Sequence, residues 1–149
     1  MNENEVFKCW KHLNRQIHLK HHEIAQSHGL TLEQFHLLME LDELELNMIS
    51  DDLLPPTIGE LAADIGNAPH TLSGKIKRLE KKGLIKKIQD ENDLRINRVV
   101  FTENGQELIN NIKKEAHNAF IQNALKKMDK ETLDNFFKGL KELNKNLSS

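Results

Sequence analysis

The chain has 149 residues, 38% of them hydrophobic and 5% aromatic, which suits one domain with a modest core. Its formal net charge of -2 excludes attraction of the whole molecule to nucleic acid, so any such binding must come from a local patch. The one cysteine, Cys9, excludes an intrachain disulfide, which suits the cytoplasm. The polar first residues predict no secretory signal, and the lack of a long apolar stretch predicts no membrane contact.

Two amphipathic helices are predicted at the start of the chain. An apolar stripe at three-to-four residue spacing is typical of one long helix that ends at Gly29. Thr31 and Gln34 form a capping box for a second helix that extends to about Asn47. The acidic, proline-ended segment 48–56 is predicted as a connection.

A helix-turn-helix is predicted next. Thr57 and Glu60 are predicted to form a second capping box for a short helix over 58–65, and Gly66 is small enough for the tight turn that follows. Pro69 suits the first position of a third helix, and Gly83 suits the left-handed residue that ends it. The buried stripe of this third helix is predicted to be Leu72, Ile76 and Leu79.

A hairpin and two closing helices complete the predicted elements. β-branched residues flank an acidic, turn-forming cluster, which predicts a short antiparallel wing over about 84–101. Helices are predicted over about 103–127 and 130–146, with Thr102 and Asp129 as their caps. The predicted fold class is therefore mainly α with a small β-hairpin.

The charge pattern changes sign within the helix-turn-helix. No lysine or arginine occurs between His21 and Gly74, a span with ten acidic residues, whereas nine of the twenty-one basic residues lie between Lys75 and Arg98. A local switch of this kind indicates that the third helix and the hairpin contact a polyanion. We predict that the polyanion is double-stranded DNA.

Separate roles are predicted for the residues of this basic region. The second helix of a helix-turn-helix enters the major groove with its first turns at the base edges. Residues predicted to reach bases are His70, Thr71, Ser73 and Gly74. Residues predicted to pair with phosphates are Lys75, Lys77, Arg78, Lys81 and Lys82, which would give affinity that falls with salt.

The tip of the hairpin carries one further candidate contact. Arg95 is placed to enter the minor groove, and Asp93 can hold its guanidinium through a bidentate pair. A basic helix face alone is more often plain solvated surface. The order of capped helix, tight turn, basic helix, glycine stop and arginine-tipped hairpin is what favours DNA binding over that alternative.

Three stretches of the sequence resemble the MarR family of winged helix-turn-helix transcriptional regulators: GLTLEQFHLLMEL, TIGELAADIGNAPHTLSGKIKRLEKKGLIKK and DENDLRINRVVFTENG. The resemblance implies a homodimer on a palindromic operator, with dimerisation helices at 1–30 and 103–149 around a winged core at 31–102. Ala68 stands where the family usually has a serine or threonine cap, so Asn67 is predicted to cap instead. The acidic segment around 45–56 is longer than the family pattern.

The resemblance also implies a repressor that leaves DNA when a small molecule, a metal ion or an oxidant binds or reacts. Glu23 and His36 match two ligands of the family's zinc-sensing branch. The other two positions hold Ile112 and Ala116, which cannot ligate a metal, although His117 is adjacent. Solvated histidines are the favoured interpretation, so no cofactor is predicted.

Redox control through Cys9 is a second possibility, since a thiolate near basic residues is more reactive. The tyrosines that the peroxide-sensing branch uses are missing, and a packing role for Cys9 is favoured.

Two other classes of function compete with DNA binding. The segment from Lys75 to Lys87 could dock on an acidic protein, which would make the winged helix a protein-interaction module. An enzyme is not predicted, because no nucleophile elbow, phosphate loop or HExxH pattern occurs in the sequence.

Overall fold

The structure is a computed structural model that describes residues 1–48, 54–115 and 118–149. The helices are α1 (Glu3–Ser27), α2 (Leu32–Met48), α3 (Ile58–Ile65), α4 (Pro69–Lys81), α5 (Glu103–Lys114), α6 (Ala119–Lys126) and α7 (Lys130–Leu147), and the strands are β1 (Ile85–Gln89) and β2 (Asn97–Phe101). The predicted fold class, mainly α with one β-hairpin, is confirmed. The described residues form two compact units, Met1–Lys113 and Lys114–Ser149.

Polar caps define most of the helix boundaries in the first unit. The Thr31 hydroxyl accepts from the Gln34 N–H, and the Gln34 side chain accepts from the Thr31 N–H, both at 3.1 Å, so this capping box is confirmed. Of the second predicted capping box, the structure shows one half: the Thr57 hydroxyl accepts from the Glu60 N–H at 3.1 Å and caps α3. These bonds satisfy donors that the first turn of a helix would otherwise leave unpaired.

Three glycines follow helices with positive φ, at Gly29, Gly66 and Gly83. The values of 71°, 80° and 76° lie in the left-handed region, which costs a residue with a Cβ atom. The predicted turn or stop at each of these positions is therefore observed.

The core of the first unit joins α2, α3, α4 and the base of the hairpin. Its buried members are Ala25, Leu30, Phe35, Leu37, Leu38, Leu41, Leu61, Ala62, Leu72, Ile76, Leu79, Leu84, Ile85, Val99 and Ile112. Asp42 is buried on α2 and pairs with Lys113 of α5 at 2.5 Å, which compensates the cost of burying its carboxylate.

The hairpin pairs β1 and β2 in antiparallel register, from Ile85 opposite Phe101 to Gln89 opposite Asn97. The other side of β2 contacts the segment before α3. Thr57 forms an isolated antiparallel bridge with Arg98, and the Val99 N–H donates to the Pro56 carbonyl oxygen at 2.9 Å. The hairpin is therefore attached to the body of the unit along β2.

The prediction of one helix over 103–127 is wrong. Helix α5 ends at Lys114, Glu115 lies in a turn, and α6 begins at Ala119 with Asn118 as its N-cap residue. Asparagine is a weak helix former, because its side chain competes for backbone groups. Helix α7 has its predicted cap, since the Asp129 carboxylate accepts from the Thr132 N–H at 2.9 Å.

Some predictions lie outside the described residues. These concern residues 49–53 of the acidic connection, Ala116 and His117. Within the described ranges, no helix combines the length and the apolar character that a bilayer span requires.

Candidate nucleic-acid interface

Helices α3 and α4 meet at a short turn. The N–H groups of Gly66 and Asn67 both donate to the Ala62 carbonyl oxygen, at 2.9 and 3.0 Å, which closes the end of α3. Helix α4 then begins at Pro69, as predicted, because proline has no N–H to lose at this position.

The N-cap of α4 differs from the prediction. The N-cap residue is Ala68, and no side chain caps the helix, so the prediction that Asn67 caps it is wrong. Asn67 lies one position before the N-cap. Its N–H already belongs to the turn that ends α3, which fixes it in that preceding helix end.

The buried and exposed faces of α4 are clearly separated. Leu72, Ile76 and Leu79 are fully buried, as predicted. The opposite face is exposed and carries His70, Thr71, Gly74, Lys77, Arg78 and Lys81. A cationic, hydrogen-bonding surface about one helix wide is the shape and charge that a major groove accommodates.

Two of the predicted α4 contacts lie at the border of this exposed face. Ser73 and Lys75 are only half-exposed, and Lys75 lines a groove with Glu33 and Glu40 of α2. Two acidic residues therefore line the same groove as Lys75. The cations on the outer face of α4 do not line this groove.

Lys82 is engaged within the protein. Its Nζ donates to the Gly29 carbonyl oxygen at 2.6 Å, which ties the end of α4 to the turn that follows α1. The prediction assigns Lys82 to a phosphate, whereas in the structure its ammonium binds a backbone carbonyl oxygen of the same protein.

The wing presents Arg95 to solvent in a fixed orientation. Its Nε and Nη2 donate to Asp93 Oδ1 and Oδ2 at 3.0 and 3.1 Å, so the bidentate pair has the expected geometry. The Arg95 side chain is 91% exposed and that of Asp93 is 33% exposed. These bonds lower the pKa of Asp93 and raise the pKa of Arg95, because each charged group stabilises the other.

Sequence reasoning missed the role of Arg98. The charge pattern places Arg98 among the cations of the basic region, but its side chain is 16% exposed and pairs with Asp90 at 2.9 Å. This hydrogen bond is the main cause that lowers the pKa of Asp90. Asp90 lies just past β1, and Arg98 lies on β2, so a hairpin register drawn from the sequence would have brought the two together.

The metal-ligand candidates do not assemble into a centre within the described residues. Glu23 pairs with Lys20 at 3.6 Å, His36 lies 3.4 Å from His21 of α1 (Nε2 to Nδ1), and His117 is not described. Across residues 1–48, 54–115 and 118–149, no group of three or more histidine, cysteine, aspartate or glutamate side chains is arranged for a metal ion. The contact between His21 and His36 was not predicted.

A capped short helix, a tight turn, a basic second helix and an attached hairpin define a winged helix-turn-helix. Residues 30–96 match the model of the MarR family, so the resemblance to this family is confirmed over that segment. No curated protein matches the sequence of the chain.

Solved structures share the fold. A MarR family transcriptional regulator from Streptomyces coelicolor, AbsC, is 24% identical with a TM-score of 0.68, over 99% of this chain and 97% of that one. Streptococcus pneumoniae FabT in complex with DNA is 18% identical with a TM-score of 0.75, over 99% and 98% of the two chains. The S. aureus MepR-DNA complex is 18% identical with a TM-score of 0.70, over 98% of both chains. These comparisons show that the chain has the fold of those structures over nearly its whole length.

Proposed function

We propose that this chain is a sequence-specific regulator of transcription that binds double-stranded DNA. The observation that carries the proposal is the outward orientation of the basic face of α4, together with an exposed arginine at the wing tip. The fold is shared with FabT and MepR, whose structures include DNA. A cationic helix and an adjacent arginine on one unit suit the major groove and the neighbouring minor groove of a duplex.

The α4 residues divide between the two kinds of contact. His70, Thr71, Ser73 and Gly74 lie in the first turns, where side chains of a recognition helix reach base edges. Lys77, Arg78 and Lys81 are exposed further along and would bind phosphates, while Lys75 would contribute from the border of the face. Arg95, oriented by Asp93, would read the width of the minor groove.

We propose that two copies bind one palindromic operator. The regions 1–30 and 103–149 would supply the dimer contacts around a DNA-binding core at 31–102. Apolar side chains support this assignment, since α1 exposes Val6 and Phe7, which are 55% and 60% exposed, and α7 exposes Phe137, which is 59% exposed. A symmetric pair would place two recognition helices about one helical turn of DNA apart.

We further propose that the regulator is a repressor whose release from DNA depends on a small molecule, a metal ion or an oxidant. A dimer that covers a promoter blocks it by occupancy, and an effector that favours a different spacing of the two helices would lower affinity. Gel shifts with DNA upstream of the protein's own gene, repeated with zinc, peroxide and small aromatic acids, test this step. Loss of the shift with one compound identifies the effector class, and no loss with any of them contradicts these classes.

The test of DNA binding is the salt dependence of the Lys77→Ala/Arg78→Ala variant. Each phosphate contact contributes about 0.9 to the slope of log affinity against log salt, so the variant should lose about 1.8 per protomer. Affinity should fall on specific and random duplexes alike. Substitutions at His70 or Thr71 should instead change which bases are preferred.

Lys126→Ala/Lys127→Ala is the matched control, because it removes two adjacent exposed cations at the end of α6. Its salt slope should equal that of the wild type. Equal slopes for the wild type and the α4 variant would refute the assignment of the α4 face. Failure of random duplex to bind at low salt would favour an acidic protein as the partner of this surface.

A further inference from the structure

Arg98 lies between three parts of the unit, near the loop end of the hairpin. It lies on β2, opposite Ile88 of β1, and on its other side it bridges to Thr57 at the start of α3. Strand β2 is therefore held between the outer wing strand and the segment that leads into the helix-turn-helix. A side chain at this position can connect the wing to the body of the unit.

The Arg98 guanidinium makes this connection with two hydrogen bonds. Its Nη1 donates to the Pro55 carbonyl oxygen at 2.6 Å, and its Nε donates to Asp90 Oδ1 at 2.9 Å. The Arg98 and Asp90 side chains are only 16% and 13% exposed. A partly buried, charge-assisted pair is less screened by salt than a surface pair and holds a narrower geometry.

Asp90 passes this constraint to the wing tip. Its second oxygen, Oδ2, accepts from the N–H groups of Asn92 and Asp93, each at 3.1 Å. Asp93 in turn accepts from the Arg95 backbone N–H at 3.0 Å and holds its guanidinium. A continuous series of bonds therefore runs from Arg98 through Asp90 and Asp93 to Arg95.

From this series of contacts we infer that Arg98 is a positioning residue for DNA binding, which fixes the wing tip so that Arg95 is oriented before the duplex arrives. The inference rests on the proposed function. An exposed arginine loses side-chain freedom when it binds DNA. Because the backbone of a fixed wing is already ordered, binding costs no further backbone freedom there. Arg98 acts through Arg95 and does not itself contact DNA.

A double-mutant cycle between Arg98→Ala and Arg95→Ala tests this inference. Arg95→Ala should weaken binding to the operator about 10-fold, and Arg98→Ala should weaken it by a similar or smaller factor. In the Arg95→Ala background, Arg98→Ala should add less than about a 2-fold loss, because the contact through which it acts is already gone. If the double variant loses affinity by the product of the two single losses, the inference is overturned and the proposed function stands.

Arg15→Ala is the matched control, since Arg15 is an exposed arginine on α1. It removes the same charge outside the hairpin, so it is the control for hydrogen exchange at the wing tip. Asp90→Asn is the second variant, because its amide oxygen can still accept from the loop N–H groups while its amide nitrogen cannot accept from Arg98. It should reproduce the effect of Arg98→Ala while keeping the turn.

A measurement without DNA separates this inference from the proposed function. Amide hydrogen exchange at Asn92, Asp93 and Ile96 should accelerate in Arg98→Ala and stay unchanged in Arg15→Ala. Unchanged exchange in the Arg98 variant would overturn the inference even if DNA binds. If Arg98→Ala exchanges faster but the wild-type protein does not bind duplex DNA, Arg98 fixes the wing and the proposed function is refuted.

Discussion

Replacement of Gly105 by alanine should destabilise the first unit strongly. A Cβ atom added there would lie 1.9 Å from the Leu84 carbonyl oxygen and 2.8 Å from its carbonyl carbon. The two segments cannot separate easily, because Thr102 joins them: its hydroxyl donates to the Gly83 carbonyl oxygen at 2.6 Å, and its N–H donates to the Leu84 carbonyl oxygen at 3.1 Å. The Gly105 N–H also donates to the Thr102 hydroxyl at 3.0 Å.

The size of the effect follows from this distance. Real Cβ contacts are essentially never closer than 3.0 Å, so α5 and Leu84 would have to move apart by about 1.1 Å. A side chain forced against backbone causes a destabilisation at the upper end of the range for overpacking. The free energy of unfolding should therefore fall by about 3 kcal/mol. For a chain of this length, the loss corresponds to a decrease in Tm of about 6–12 °C.

Thermal unfolding followed by far-ultraviolet circular dichroism measures this change. Gly139→Ala is the control, because Gly139 is exposed in α7 and an added Cβ would meet nothing within 4 Å. Alanine is the better helix former, so this variant should gain about 0.5–1 kcal/mol. A Gly105→Ala protein that unfolds at the wild-type temperature would show that α5 does not approach Leu84 closely.

Two further predictions concern local stability. Ala68→Ser should raise the free energy of unfolding by about 0.5–1 kcal/mol in urea titrations, because α4 then gains a side-chain cap; an unchanged midpoint would contradict an uncapped start of α4. Burial lowers the pKa of His36 below 6.5, and the nearby His18 lowers it further, whereas Glu40 raises it. The His21 ring also contacts the His36 ring. The unfolded chain therefore binds this proton more readily, so the stability from neutral His36 is present above about pH 6.5 and decreases as pH falls. His36→Gln should reduce that decrease between about pH 7 and 5, and an equal pH dependence in both proteins would contradict it.

Local signals account for the parts of the fold that were predicted correctly. The caps Thr31, Thr57 and Asp129 and the stop at Gly83 each act within a few residues of their own position. Such signals can be read without knowing what packs where. The break after Lys114 was missed because its flanking residues are polar and the apolar spacing on either side still suits one helix.

The candidate site was predicted less completely, because charge alone does not tell where a cation points. Lys77, Arg78 and Lys81 are exposed as expected, whereas Arg98 pairs with Asp90 across the hairpin and Lys82 reaches a carbonyl oxygen fifty-three residues earlier in the chain. The hairpin pair could be found by drawing the register. The Lys82 contact depends on how α1 and α4 pack, which no local pattern contains.

The position of β2 between two neighbours also affects solubility. In the described part of the chain, the sheet has two strands, and the second side of β2 is occupied by the Thr57 bridge and the Pro56 bond. Among the residues that the structure describes, the outer side of β1 is the edge left open to a foreign strand. Lys86 and Lys87 lie on that strand, and edge-to-edge pairing of two wings would bring the two β1 backbones to about 4.8 Å, with four lysines along the seam. The like charges of these lysines therefore oppose aggregation through this sheet edge.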